Sequence, residues 1–222
     1  MQFRLGPIPV RIQPTVLLVG VFVYLTSRSV PVAAVWTLAL VITVLTHELG
    51  HALVVKRVGG SPEVTVWAFG GYTVWRPTPD VTWRQRFSIA AAGSLMQFTV
   101  AVALWVAAGA GWFGPALRTA IGTDPFSLPP AAFSGSFVLG LFALVVYFGA
   151  VWSLFNWIPI AGLDGSHMLE AVLAPRLGAK VTGRVVLVVS LVVAVALAGW
   201  LLWRGERILA VFVLVIAASG LR

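Results

Sequence analysis

The chain contains no cysteine and little charge. Of its 222 residues 10% are Asp, Glu, Lys or Arg, while 59% are hydrophobic. The missing cysteine excludes disulfides, thiolate zinc sites and thiol nucleophiles. A soluble domain usually carries about 25% charged and roughly 45–50% apolar residues. The scarcity of charge therefore excludes an ordinary water-soluble core. Seven carboxylates and three histidines are present, so few side chains are available to move protons or hold a hard metal ion. Loops are also short: none between apolar segments exceeds about 27 residues, which leaves no room for a sizeable inserted soluble domain. There is no internal repeat and no low-complexity tract.

What is abundant is apolar length. The mean hydropathy is +0.98, and six apolar segments stand out at roughly 14–26, 32–57, 86–109, 135–158, 181–203 and 206–221. Crossing a bilayer as a helix takes about 20 such residues, so the first and last are short. The expected fold class is an all-α polytopic membrane protein. It has about six transmembrane helices and forms a single integral membrane domain over residues 1–222. The first segment, which follows Arg4 and Arg11, also has the makings of a signal peptide, with "PVAA" downstream as a cleavage region.

The net charge is +8. No nucleic-acid-binding motif accompanies it, so the basic residues are assigned to loops facing anionic lipid. With the N-terminus inside, eleven of the fifteen basic residues fall on the cytoplasmic side. The positive-inside rule then places both termini in the cytoplasm. Thirteen of the fifteen are Arg, a usage associated with GC-rich prokaryotic genomes, so the expected location is a prokaryotic plasma membrane.

Two connections carry structural signals. Residues 62–76, "PEVTVWAFGGYTVWR", alternate β-branched and aromatic residues on either side of Gly70-Gly71. This predicts a β-hairpin at the inner membrane face, between the second and third spans. Residues 110–134 hold Gly111, Gly114, Pro115, Gly122, Pro125, Pro129 and Pro130, which predicts an irregular outer loop.

The chemistry concentrates in "THELGH". His47 and His51 are four residues apart, on one helix face, and can direct two imidazoles at one ion. Glu48 follows the first histidine and can address a metal-bound water. H-E-x-x-H is the zinc-protease arrangement of two ligands and a general base. Ionisable groups inside a spanning helix are costly and usually functional, which favours this reading over a pair of hydrogen-bonded structural histidines. If the helix enters from outside near Val32, His47 lies roughly 23 Å deep in a hydrocarbon core of about 30 Å. The site is thus expected toward the cytoplasmic side.

A catalytic zinc usually takes three protein ligands and a water. Candidates for the third are Asp164, His167 and Glu170, all in "NWIPIAGLDGSHMLEAVL". There Asn156, Pro159, Gly162 and Gly165 predict a broken helix, tolerated at membrane depth where it lines a cavity or site. Counting inward from Ser136 puts this break at the depth of His47 and His51.

Two motifs together, His47-Glu48-Leu49-Gly50-His51 and Asn156-x-x-Pro159-x-x-x-Leu163-Asp164-Gly165, resemble those of the site-2 protease family of intramembrane zinc metalloproteases. The likeness covers about residues 32–174, with 14–26, 181–203 and 206–221 as peripheral helices. "FGGY", containing Gly70 and Gly71, also resembles the family's hairpin, whose edge binds substrate as an added strand. The resemblance implies one Zn2+ per chain held by His47, His51 and Asp164. It implies Glu48 as the catalytic base and Asn156 as a residue that holds substrate or orients the site. The family often has Gly-Pro-x-x-Asn in the third span, where this chain reads Gly93-Ser94-Leu95-Met96-Gln97. Gln97 can serve the site through its amide or pack in the core. His167 is expected beside the ligands or in helix packing, and Glu170 among headgroups or solvent. No stretch resembles a PDZ or CBS domain.

The function so implied is hydrolysis of a peptide bond in or near a transmembrane segment of a single-span membrane protein, with the lipid bilayer as surroundings. Two alternatives remain. A prenyl-protein (CAAX-type) membrane protease would use Glu170 as third ligand. A non-catalytic membrane metal-binding or transport protein would need further polar groups along a full path.

Overall fold

All six apolar segments form helices in the computed structural model, which describes residues 1–68, 70–76, 81–109 and 137–220. Helices α1 to α4 are Leu17–Ser27, Val30–Arg57, Trp83–Gly109 and Phe137–Phe155; α5 to α7 are Asp164–Leu177, Ala179–Trp203 and Arg207–Ser219. Many of these residues are Val or Ile, poor helix formers in water. A spanning segment must satisfy its backbone internally, and that requirement overrides propensity. Among the described residues, four helices (α2, α3, α4 and α6) are long and apolar enough to cross a membrane. The two near the ends of the chain, α1 and α7, have 11 and 13 residues and fall short of a full crossing. The loop expected at 110–134 lies outside the described residues.

Helix α2, which carries the H-E-x-x-H motif, has clear boundaries. The Ser29 side chain accepts from the Val32 amide, and Pro31 occupies the first turn, where its missing donor costs nothing. Lys56 and Arg57 stand in the last turn, facing the negative end of the helix dipole. Inside the helix, the Thr43 and Thr46 hydroxyls donate to the carbonyls of Ala39 and Ile42 at 2.7 Å, so these polar side chains are satisfied without leaving an apolar surrounding.

The chain divides into two units, Met1–Pro77 with Ala92–Leu154, and Thr78–Ala91 with Phe155–Arg222. The first holds a four-stranded sheet in the order β1-β2-β3-β4: Gln2–Leu5, Ile8–Ile12, Glu63–Trp67 and Gly70–Val74. The expected hairpin is therefore half of a larger sheet. The first twelve residues supply the other half, with Phe3, Leu5, Ile8, Val10 and Ile12 separated by a Gly6-Pro7 turn. β2 runs parallel to β3, pairing Val10 with Val64 and Ile12 with Val66. Ile8, Val10, Val64 and Val66 bury their side chains in one cluster with Ala52, Leu45 and Leu49 of α2. The sheet is thus bolted to the helix that carries the motif.

The hairpin turn also differs from expectation. Trp67 pairs with Gly70, so Gly70-Gly71 belongs to β4. Gly70 has φ +142°, a conformation that favours glycine. Gly71 is needed for close approach: a Cβ there would lie 2.6 Å from Glu48 Cγ. The two glycines carried a turn signal, but here Gly70 supplies a positive φ at the start of β4 and Gly71 the close approach to α2.

In the same unit α2 meets α3 backbone to backbone, since a Cβ on Gly50 would come 2.8 Å from Gly93 Cα. Val35 and Ala39 of α2 pack on Leu144 and Val145 of α4, with Leu104 of α3 against the same cluster.

In the second unit, residues 156–163 leave the helical conformation, as the sequence predicts, and Gly162 takes φ +92°. The Gly165 amide donates to the Asn156 carbonyl at 2.7 Å, closing the loop. The Ser190 hydroxyl of α6 donates to the Pro159 carbonyl at 3.2 Å, satisfying a group that the break exposes. Ile160 and Leu163 anchor the loop in a core with Ala194, Ala198, Ala210 and Val213.

Candidate metal centre

His47 and Glu48 lie buried on α2, 8% and 5% exposed, and His51 is partly buried one turn later. Helical periodicity brings the two imidazoles together: their Nε2 atoms are 3.1 Å apart, with the rings at 82°. Two ligand nitrogens about 2.0–2.1 Å from a tetrahedral zinc stand roughly 3.3 Å from each other. The histidine pair therefore already has the spacing of two imidazoles sharing an ion, and the residues present fit zinc.

The other nitrogen of His47 decides its tautomer. Nδ1 lies 3.2 Å from Oε1 of Gln97. An amide oxygen only accepts, so Nδ1 carries the proton and Nε2 keeps its lone pair for a metal. This is the usual way in which a ligand histidine is oriented. Gln97 is 2% exposed on α3, and its amide oxygen faces the His47 ring. His51 is positioned sterically. Gly93, also on α3, leaves just enough room for its ring, since a Cβ there would stand 2.6 Å from His51 Cε1. Both features come from the Gly93-to-Gln97 stretch, where the sequence departs from the family pattern.

Glu48 is held from the sheet. The Thr73 hydroxyl of β4 lies 2.7 Å from Glu48 Oε2 and 3.1 Å from the Glu48 carbonyl. Gly71, two residues earlier on the same face of β4, lies directly under the carboxylate: a Cβ there would be 2.8 Å from Oε1. Sequence reasoning singled out Gly71 but missed Thr73, because a Thr in a predicted strand is ordinary and nothing local marks its partner.

In the second unit, Asp164 opens α5 in its first turn. Asn156 is buried at the other end of the closed loop. The loop thus draws Asn156 and the start of α5 together. His167 does not follow the expectation that it supports the ligands. Its side chain is 66% exposed, and its Nδ1 lies 3.9 Å from Glu170, itself 60% exposed. Gly165, Ser166 and Ala171 are the residues that α5 buries, which leaves the ionisable His167 and Glu170 one turn apart on its outer side. Glu170 is the ligand that a prenyl-protein protease would require.

The profile of peptidase family M50 matches residues 35–199. The chain is 30% identical over 189 residues to Rip3 of Mycobacterium tuberculosis, provisionally named a zinc metalloprotease; the alignment covers 77% of this chain and 42% of that protein. It is 30% identical over 137 residues to sll0528 of Synechocystis sp., provisionally named likewise, covering 61% of this chain and 30% of the relative. The chain thus spans less than half the length of the curated relatives it matches. In fold it is similar to the site-2 protease from Methanocaldococcus jannaschii, with a TM-score of 0.65 over 100% of this chain and 95% of the other, at 21% sequence identity. At that identity the likeness speaks for the fold alone. The profile match takes in the histidine pair, Gln97 and the loop that ends at Asp164, and by it the chain belongs to peptidase family M50, the site-2 protease family.

Proposed function

We propose that the protein is an intramembrane zinc metalloendopeptidase that hydrolyses a peptide bond within or near a transmembrane segment of a single-span, membrane-anchored substrate. The observation that carries this reading is the facing histidine pair, with Nε2 atoms 3.1 Å apart, beside a buried glutamate on an apolar helix. His47, His51 and Asp164 would hold the zinc. Two imidazoles with one carboxylate is a donor set suited to zinc. Further support comes from the relatives named zinc metalloproteases.

Zinc, when bound, supplies a Lewis acid that acidifies water toward pKa ~7 and polarises the scissile carbonyl. The remaining chemistry belongs to the chain. Glu48 accepts a proton from the attacking water and returns it to the departing amine nitrogen. Gln97 accepts from His47 Nδ1 and so leaves Nε2 as the ligand atom. Substrate must unwind, because a helix hides its peptide bonds, and the outer edge of β4 offers backbone groups on which an extended segment can pair. Asn156 would hold that segment or orient the site. In this reading all six apolar segments belong to the membrane part of a prokaryotic plasma-membrane protein. The hairpin and the site lie toward the cytoplasm, and both termini are cytoplasmic; the distribution of basic residues supports this orientation.

The test is cleavage of a model transmembrane substrate by the purified protein in detergent. Glu48→Gln should retain zinc and lose roughly 10²- to 10⁴-fold in rate, whereas Asp164→Ala should lose zinc. Normal cleavage by Glu48→Gln would remove the assigned base. Zinc transport into liposomes without any proteolysis would overturn the enzyme reading.

A further inference from the structure

Thr73 is the residue whose placement no motif explains. A strand threonine is commonplace, and its hydroxyl generally finds solvent or a neighbouring strand. Here both recorded acceptors of that hydroxyl belong to Glu48, 25 residues away on another element: Oε2 at 2.7 Å and the main-chain carbonyl at 3.1 Å. A hydroxyl has one proton. The shorter, charge-assisted bond to the carboxylate takes it.

We propose that Thr73 is a positioning residue for the Glu48 carboxylate, so that strand β4 is the seat of the catalytic base. The inference rests on the reading of Glu48 as the base. The terminal torsion of a glutamate is broad and roughly two-fold, so the α2 backbone alone leaves the carboxylate plane undetermined. The Thr73 hydroxyl fixes it by holding Oε2. Gly71, two residues earlier and therefore on the same strand face, leaves the space over which the carboxylate lies. One donor and one missing side chain, spaced as a strand spaces them, together set the orientation of the base. β4 is also the last strand of the sheet, with no strand on its outer edge among the described residues. The element that orients the base is therefore also an edge strand of the sheet.

The experiment compares Thr73→Val, which keeps the branched shape without the hydroxyl, with Thr73→Ser, which keeps the hydroxyl. Cleavage kinetics, zinc content and thermal stability are measured on the full chain in detergent. Infrared difference spectra are recorded alongside, with Glu48→Gln identifying the Glu48 carboxylate band. Thr73→Val should lower kcat by roughly 10- to 100-fold, the weight of one hydrogen bond to a charged group. KM, zinc content and melting temperature should stay near wild type, and the carboxylate band should shift. Thr73→Ser should recover kcat to within a few fold and restore the band. Adding Thr73→Val to Glu48→Gln should cause no further loss. A kcat unchanged in Thr73→Val, a change in KM alone, or an unmoved band would each overturn the proposal. If the wild type cleaves nothing, the protease reading fails and the base-positioning role falls with it. The band then still reports separately whether Thr73 holds the carboxylate.

Discussion

Replacing Gly93 by alanine should displace the His51 ring, proposed above as a zinc ligand, without altering any polar side chain. The added Cβ would lie 2.6 Å from Cε1 and 2.8 Å from Cδ2 of His51, where ordinary contacts begin at 3.4 Å. The imidazole must therefore retreat by about 0.8 Å, unless the helices move apart. Separating α2 and α3 would forfeit the close packing that Gly50 and Gly93 allow. Metal–ligand distances tolerate only about ±0.2 Å, so a retreat of that size exceeds the tolerance severalfold. Even indirect disturbance of a ligand typically costs about 10- to 100-fold in metal affinity, and at least that loss is expected here. The assay is zinc retained after dialysis against graded chelator, read by metal analysis, with a thermal melt of the metal-free protein alongside. Gly199→Ala is the control, since a Cβ there meets nothing within 4 Å; it should keep wild-type zinc. A Gly93→Ala protein that holds zinc as tightly as wild type would refute the assignment of His51, or the rigidity of the α2–α3 contact on which the estimate depends.

Two further outcomes follow from the same geometry. Gln97→Leu removes the acceptor 3.2 Å from His47 Nδ1, freeing the imidazole to rotate and change tautomer; zinc affinity measured by chelator competition should fall by roughly tenfold or more. Gly165→Ala would set a Cβ 2.5 Å from the Ile158 carbonyl oxygen, and a backbone neighbour cannot swing aside. Thermal melting should therefore show a loss of about 2 kcal/mol or more, with zinc binding weakened because Asp164 is the preceding residue.

The membrane character, the six helical segments, the spacing of His47 and His51 and the break after Asn156 were all legible in the sequence. Each is a local property. Apolar length decides whether a segment must satisfy its backbone as a helix, the 3.6-residue period decides that positions four apart share a face, and Pro159 with Gly162 decides where a helix stops. What only the tertiary structure decided was which distant side chains complete those local features. Gln97 turns His47, Thr73 holds Glu48, and Gly93 makes room for His51, across separations of 25 to 50 residues. Gly70-Gly71 looked like a turn, but both pair with β3, and Gly71 lies against Glu48. The first twelve residues showed alternation, but pairing beside β3 was needed to give them a partner. His167 shared a helix with Asp164, yet the burial of Gly165, Ser166 and Ala171 left it outside. Local periodicity is written in consecutive residues; the meeting of two surfaces depends on everything that brings them together, and a single Gln or Thr carries the same local signal wherever the fold places it.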